Sequence, residues 1–406
     1  MKTVFFKCTL FSILFSLLLM IISGCGSSSN LPMGFEQNIT QNDHPVGTIQ
    51  KATYYPTRSG FYEYEVPTGA SSYLYVGENE GFRSIMVLRF GFTGMSRPDS
   101  SVIESVKLIL FPGGVIGDST SQLTLRTHRI GDLNPEWDEL LIKPGLFAND
   151  YRAEELSEPA VVIGTQTDSV VFELRVAQFT NANGFLDSSF VKNGLCVIPE
   201  SNVQANLIRQ FYSDDFGTSA LEPRLEIVST FEGETDTTED YYATDAFLAT
   251  PKELNSNAFN NLFIGSGVSY RSLLNFNVSD IPDNATINRA RLILCVNNEY
   301  SIPGVSDNPG LYVYPATSWP DVTADVEIDS SSGSYPSTVD EDTVTVELGL
   351  LYQKITNNQY EYPGLFMRSQ IEASDIRRYS IYGREADSLR MPRLILEYTI
   401  PPAFPN

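Results

Sequence analysis

Few residues in this 406-residue chain have the type and spacing needed for catalysis. Its two histidines are His44, in a polar stretch, and His128, in the strand-like run Leu123–Ile130. No Gly-x-Ser-x-Gly elbow, phosphate-binding loop, His-Glu-x-x-His or Cys-x-x-Cys occurs, so acyl transfer, phosphoryl transfer, zinc hydrolysis and dithiol exchange lack their usual residues. Paired carboxylates can cleave glycosides, but among 50 Asp and Glu residues pairs arise by chance and spacing selects none. The expectation is a protein that is not an enzyme. Acid-rich loops at Asp138-Glu139, Asp214-Asp215 and Asp340-Glu341-Asp342 offer the oxygen donors that Ca²⁺ takes. None has EF-hand spacing, so no metal ligand or cofactor is assigned and a solvated surface is expected there.

Non-catalytic recognition has more candidates. An aromatic ring can stack on the C–H face of a sugar, and the chain holds two tryptophans, Trp137 and Trp319. Each follows a strand ending near residue 130 or 314, so each reads as a binding platform or as a plug at the end of its domain. Repetition at equivalent places favours the plug. Tyr62 and Tyr64, in the alternating run Phe61–Val66, and Tyr360 and Tyr362, in a loop, are sugar contacts or ordinary edge residues. Arg83 and Arg271 recur at similar places, as do Arg224 and Arg393. Their planar forks suit a carboxylated sugar or an internal acid equally, and internal pairing is the preferred reading.

Upstream, Lys2 and Lys7 precede an apolar run of 15 residues, Cys8 to Ile22, followed by Ser23-Gly24-Cys25. The run is shorter than the roughly 20 residues of a spanning helix. The order reads as a secretory signal, residues 1–24, whose end resembles the bacterial lipobox. On that reading Cys25 is lipidated and tethers the protein to a membrane. Gly26 is not the aspartate associated with inner-membrane retention in enteric-type bacteria, so the expected place is the cell envelope, at the outer membrane. Residues 25–49 form a polar tether. Removing Lys2 and Lys7 takes the formal charge from −23 to −25, which repels nucleic acid. Cys196 and Cys295 fall in apolar strand-like runs in different halves of the chain and read as free thiols.

The elements that must position all these residues are written twice. Tyr73-Leu74-Tyr75-Val76-Gly77 with Phe82-Arg83-Ser84 returns as Asn261-Leu262-Phe263-Ile264-Gly265 with Tyr270-Arg271-Ser272. Val102–Leu110 matches Thr286–Leu294, Val171–Leu174 matches Val344–Leu348, Gly194–Val197 matches Gly364–Met367, and Pro223-Arg224-Leu225 matches Pro392-Arg393-Leu394. The first copy is longer by about 19 residues, a surplus assigned to Glu136–Ala160. Short runs rich in Val, Ile, Leu, Tyr and Phe alternate with Gly, Asn, Asp, Ser and Pro clusters, which predicts strands. The fold class is therefore all-β: two tandem antiparallel sandwiches, residues 50–230 and 241–401, each with one short helix (Arg175–Thr180 and Gly349–Thr356). Residues 231–240, rich in Gly, Thr and acids, read as a solvated linker.

Arg271-Ser272-Leu273-Leu274-Asn275-Phe276, then Ile281-Pro282-Asp283-Asn284-Ala285-Thr286-Ile287 and Ala290-Arg291-Leu292-Ile293-Leu294, resemble the DNRLRE domain family, which overlaps with family 96 of carbohydrate-binding modules. Asp245–Leu248 resembles its opening strand, and Trp319 and Met391-Pro392-Arg393-Leu394 continue the pattern over almost all of the second copy. The first copy matches through Val87-Leu88-Arg89-Phe90 and Glu222-Pro223-Arg224-Leu225 but lacks the Ile-Pro-x-x-Ala-Thr stretch, and either Arg83 or Arg89 answers to Arg271. The resemblance implies a jelly-roll-like β-sandwich and, in some members, polysaccharide binding. The functional expectation is a lipid-anchored envelope protein binding polysaccharide or envelope glycan. Its alternative is a structural or adhesive protein that contacts another surface protein and has no sugar site.

Overall fold

The computed structural model describes residues 47–402 except 93–99, 132–136, 179, 201–205, 241–242, 307–309, 320–325, 327, 330–332, 341 and 358–363. Cys25, the tether up to residue 46, Tyr360 and Tyr362 lie outside the described residues. The chain opens with β1 (Thr48–Tyr54) and β2 (Pro56–Glu65), then runs through β3 (Tyr73–Glu78), β4 (Phe82–Phe90), β5 (Val102–Leu110), β6 (Pro112–Gly117) and β7 (Gln122–Ile130). Helix α1 (Pro144–Phe147) precedes β8 (Tyr151–Glu155), β9 (Ala160–Ile163) and β10 (Val170–Leu174). Helix α2 (Ser188–Asn193) leads to β11 (Leu195–Pro199), β12 (Leu207–Tyr212), β13 (Arg224–Phe231), β14 (Glu234–Asp240) and β15 (Ala243–Pro251). The second half contains β16 (Asn261–Ser266), β17 (Val268–Phe276), β18 (Thr286–Cys295), β19 (Leu311–Ala316), β20 (Tyr335–Asp340) and β21 (Thr343–Glu347). Helix α3 (Gly349–Thr356), β22 (Gly364–Ser369), β23 (Arg377–Tyr382) and β24 (Arg393–Ile400) complete it.

All named strand pairings are antiparallel, and the fold is an all-β sandwich built twice. Sandwich 1 sets the layer β10-β5-β13-β14 against a larger sheet containing β6-β12-β3-β4-β11-β7-β8, with β15 on β4. Sandwich 2 repeats the plan: β1-β24-β18-β21 forms one layer and β19-β22-β17-β2 the other, joined through β20. The first kind of layer alternates, as in β10, where Val170, Phe172 and Leu174 are buried and Val171 and Glu173 are exposed, so it is wet on one face. The second kind is covered on both faces, and β4 and β17 are accordingly buried along almost their whole length.

The boundaries differ from those read in the sequence. Residues 234–240 do not link the copies; they pair with β13 along its length, from Leu225↔Asp240 to Phe231↔Glu234. The turn is Glu232-Gly233, both with positive φ (51° and 84°), the two-residue hairpin geometry that matches strand twist. Strand β14 has almost no apolar residue because it is an exposed edge held by backbone hydrogen bonds, and that composition mimicked a linker. Strand β15, the opening strand of the second copy, pairs with all nine residues of β4 in the first. Strand β2, the opening strand of the first copy, pairs with β17 in the second, from Val268↔Glu65 to Asn275↔Arg58. Sandwich 1 is thus continuous from about residue 66 to 251, whereas sandwich 2 is closed by residues 48–65 from the far end of the chain.

Helix content also departs from one helix per copy. Gly349–Thr356 is α3, as read, but the described residues of 175–180 form a 3₁₀ turn, Val176–Gln178, and the first copy adds α1 and α2. The surplus of the first copy folds as α1, whose Phe147 packs on the outer face of its sheet, and β8, which extends that sheet beside β7. Cys196 is buried and Cys295 half-buried, both as free thiols.

One compact unit spans Ile49–Ile400. Its main core is continuous across the copies: Phe82, Phe90 and Phe211 cluster with Phe247, Phe263, Tyr270 and Ile376. Tyr75 meets Phe247 edge-on at 4.9 Å and donates to Asp375 Oδ1 at 3.1 Å. Asp375 in turn accepts from Arg377 Nε at 3.1 Å and Ser306 Oγ at 2.9 Å. A Cβ on Gly81 would meet the Cδ1 end of Ile302, so a larger residue there would displace that side chain where the second copy lies against the β3–β4 turn.

Deleting residues 47–65 should expose β17 as an unpaired edge and remove the packing of Phe61, Tyr62 and Tyr54 against the cores. The cost is on the order of 5 kcal/mol, at about 1.5–3 kcal/mol for a fully buried large apolar side chain. Hydrogen exchange should then show lost protection in 268–276 with 102–110 retained. Protection of 268–276 matching the intact chain would show that β2 does not hold sandwich 2 closed.

Candidate functional site

The predicted recognition residues divide between packing positions and a shared surface. Trp137 is 6% exposed; its Nε1–H donates to the Asn193 carbonyl at 3.0 Å, and the Arg89 guanidinium lies 5.0 Å from its ring. It covers the outer apolar cluster of Ile85, Val87, Ile130 and Cys196, so its geometry is that of a plug. Trp319 is half-buried on the equivalent cluster of sandwich 2, around Leu273, Tyr314 and Phe366, with Arg58 stacked at 4.4 Å.

Arg271 is held internally. Its Nε donates to Glu372 Oε1 at 2.8 Å and its Nη2 to Oε2 at 3.1 Å. Arg368 Nη1 adds a third charged donor to Oε2 at 2.9 Å, and Ser269 Oγ also bonds to Glu372. Tyr64 roofs this pair, its ring 3.6 Å from the Arg271 guanidinium, and Tyr62 packs beside it on the same cluster. Tyr62, Tyr64 and Arg271 therefore come together through the β2–β17 ladder, although β2 and β17 belong to different copies. Ser84 Oγ donates to the Tyr75 carbonyl at 2.7 Å and Ser272 Oγ to the Phe263 carbonyl at 2.6 Å, which makes Arg83 the counterpart of Arg271. Arg83 instead reaches the Pro199 carbonyl at 3.2 Å and lies 3.9 Å from Glu78. Arg224 pairs with Glu239 at 3.6 Å, and Arg393 donates to the Leu389 carbonyl at 2.6 Å.

A cleft unread from the sequence opens along the seam where β2 joins sandwich 2. It has a volume of about 460 Å³ and is lined by Arg58, Phe61, Phe259, Asn260, Arg384 and Glu385, among others. Phe259 is 61% exposed and stacks on Phe61, ring centres 6.1 Å apart and planes at 18°. Phe61 is anchored edge-on against Phe263 at 4.9 Å. The Asn255 side chain caps the 3₁₀ turn that presents Phe259, accepting from the Ala258 amide at 3.0 Å. The rim charges are locally matched: Arg384 donates to Glu385 at 2.9 Å and to the Thr57 carbonyl at 2.9 Å. The cleft combines an exposed aromatic face with amide and charged groups at its edge. Among the described residues that line it, the carboxylate is Glu385. Phe259 could have been found as an apolar residue in the Asn- and Ser-rich string Asn255-Ser256-Asn257-Ala258-Phe259-Asn260.

The equivalent seam of sandwich 1 carries opposite chemistry. Ala249 and Phe61 pair with the equivalent Ser84 and Ser272; four steps along each ladder, Asp245 lies opposite Leu88 and Pro56 opposite Phe276, with Thr57 in the bulge beside it. Two residues beyond β23 and β12 lie Arg384 and Asp214. Sandwich 1 therefore has Asp245, Asp214 and Asp215 where sandwich 2 has the Pro56-Thr57 bulge, Arg384 and Glu385, and the surplus loop adds Glu139. Burial, then repulsion from Asp214, raises the Asp245 carboxyl well above the usual range. Burial, then Glu139 and Asp215, pushes Asp214 up to about 7. Of the acid-rich loops read in the sequence, those at 138–139 and 214–215 meet here; part of Asp340-Glu341-Asp342 lies outside the described residues.

No protein-family model and no curated protein matches this chain.

Glu372 serves two arginines at once, so Glu372→Ala should leave Arg271 buried without its acid and cost about 3–5 kcal/mol. Glu372→Gln should cost less, because the amide oxygen still accepts. Urea denaturation of both variants checks this; a loss below about 1 kcal/mol in Glu372→Ala would mean that water replaces the carboxylate.

Proposed function

We propose that this chain is a lipid-anchored protein of the bacterial cell envelope that binds a neutral polysaccharide, without catalysis, through the seam cleft of sandwich 2. The observation that carries the reading is the exposed ring of Phe259, backed by Phe61 and bordered by Asn260, Arg58 and Arg384. A pyranose presents an apolar C–H face ringed by hydroxyls, and an aromatic platform with amide and guanidinium donors at its edge complements both. Neutral sugar is favoured because Arg384 is already matched by Glu385 and Arg58 is stacked on Trp319, while the chain as a whole is strongly acidic. The resemblance to the DNRLRE family supports the same class of ligand. Tyr62, Tyr64 and Arg271 act in this scheme as the packed support of β2 instead of as sugar contacts.

Anchoring rests on the order Lys2, Lys7, apolar run, Ser23-Gly24-Cys25. Among the described residues no helix is long and apolar enough to cross a membrane. Each buried lipid CH₂ contributes about 0.8 kcal/mol, so two or three acyl chains on Cys25 hold firmly where one does not. Mass spectrometry of the membrane fraction should find Cys25 acylated at the mature terminus, and Cys25→Ala should accumulate as precursor. An unmodified Cys25 in the native protein removes the anchor from this scheme.

Phe259 is exposed, so Phe259→Ala should change stability by no more than about 0.5 kcal/mol. It should weaken glycan binding about tenfold, the size of one aromatic contact. A glycan array followed by calorimetry on the best neutral ligand measures both. Unchanged affinity in Phe259→Ala removes the cleft as the site. Absence of any glycan binding at millimolar concentration, with capture of a surface protein instead, makes the adhesive reading the correct one.

A further inference from the structure

Four carboxylates meet at the seam of sandwich 1, from three separate segments. Glu139 comes from the loop before α1, Asp214 and Asp215 from the β12–β13 connection, and Asp245 from β15. One carboxylate oxygen from each of Glu139, Asp214 and Asp215 lies within 4.8 Å of the others. Asp245 is fully buried. Its Oδ2 accepts from the Asp214 amide at 3.0 Å, and its own amide donates to Glu139 Oε1 at 3.3 Å. Asp245 Oδ1 and Asp214 Oδ1 are both buried without a hydrogen-bond partner. Arg89 is a cation that acts on Glu139. It is itself stacked on Trp137 and donates to the Trp137 carbonyl.

We propose that this cluster is a Ca²⁺ site, with Glu139, Asp214 and Asp215 as ligands and Asp245 as the buried carboxylate that orients them and whose charge the ion offsets. The donors are all oxygens, the set preferred by hard cations. Ca–O distances of about 2.3–2.6 Å place opposite ligands about 5 Å apart, which the observed spacing accommodates. Asp215 is exposed and Asp214 and Glu139 only half-buried, leaving room for the waters that complete six to eight ligands. The comparison between the two seams gives the physical reason. Sandwich 2 has a built-in cation here, Arg384, bonded to the Thr57 carbonyl. Sandwich 1 has Asp214 in place of Arg384 and the buried Asp245 beside it, with Arg89 acting on Glu139, so a cation from solution offsets the charge that remains. Bound there, the ion joins β15, the β12–β13 connection and the surplus loop. The site is independent of the sugar-binding reading and would stand if that reading fell.

The experiment is calcium titration of the full mature chain after chelator treatment, read by calorimetry and by thermal melting. Terbium luminescence sensitised by Trp137, which lines the same recess as Glu139, gives a local signal. One Ca²⁺ should bind per chain and raise the melting temperature reversibly. Asp245→Asn should melt no lower than the native chain in chelator, because it removes a buried charge, yet bind Ca²⁺ about tenfold or more weakly. Asp215→Asn, at an exposed position, should also weaken binding, and Trp137→Phe should abolish the terbium signal with the calcium affinity kept. No calcium-dependent heat or melting shift at millimolar Ca²⁺ overturns the proposal. Equal affinity in Asp245→Asn and Asp215→Asn, or equal stabilisation by Mg²⁺, does so as well.

Discussion

The ladder between β2 and β17 is the interaction on which the rest of this architecture depends. Strand β17 is the central strand of the doubly covered layer of sandwich 2, and without β2 one of its edges would present unpaired amides and carbonyls. With β2 in place, Phe61 enters the aromatic group of Phe263 and Tyr270, and Tyr62 and Tyr64 cover Leu273 and Arg271. The buried Arg271–Glu372 pair then has an aromatic lid that keeps water from competing with its hydrogen bonds. A charge pair in that setting is tolerable only because each partner is multiply bonded. The same strand forms one wall of the seam cleft, so closure of the fold and formation of the recess are a single event.

Pseudo-symmetry explains how one scaffold carries two kinds of site. Both seams arise where an opening strand lies beside the connection that follows β12 or β23, and the backbone relations agree: Ser213 lies beside Ser72 and Gly383 beside Asn260. Side chains on that shared backbone are free to differ because the seam is at the edge of the core. In sandwich 2 the edge became aromatic and charge-matched; in sandwich 1 it became acidic.

Strands and repeats were legible because both are carried by local pattern. Alternation in Val170–Leu174 or Arg224–Phe231 states which face is buried, and the recurrence of Gly-containing anchors states that the plan is used twice. What was illegible is which copy each opening strand joins. Strands β2 and β15 occupy the same place in their copies, so their pairing with β17 or β4 is locally equivalent; the tight Glu232-Gly233 turn decides it by folding β14 back onto β13. The sequence around Asp245 did carry a signal. An aspartate entering the apolar strand Ala246-Phe247-Leu248-Ala249 is a buried charge in need of a partner. Its partners lie in segments 31 and 106 residues away, beyond the reach of spacing.

The surplus loop of the first copy links the two seams. It covers the outer face of sandwich 1 with Trp137, Ile142 and Phe147, where sandwich 2 uses β2 tyrosines and Trp319. From that position Glu139 reaches the Asp245 amide, the Gly145 amide donates to Glu65 of β2 at 3.0 Å, and the Lys143 amine sits 5.5 Å from the Tyr64 ring. One loop therefore touches both opening strands, β15 through its acid and β2 through an amide and a cation. Its sequence, Asp138-Glu139-Leu140-Leu141-Ile142-Lys143-Pro144-Gly145, sets Glu139 at the acidic seam, Lys143 over the Tyr64 ring and the Gly145 amide on the Glu65 carboxylate. The copy that supplies the loop is also the copy whose opening strand was given to its neighbour, and the loop is what holds that strand from the other side.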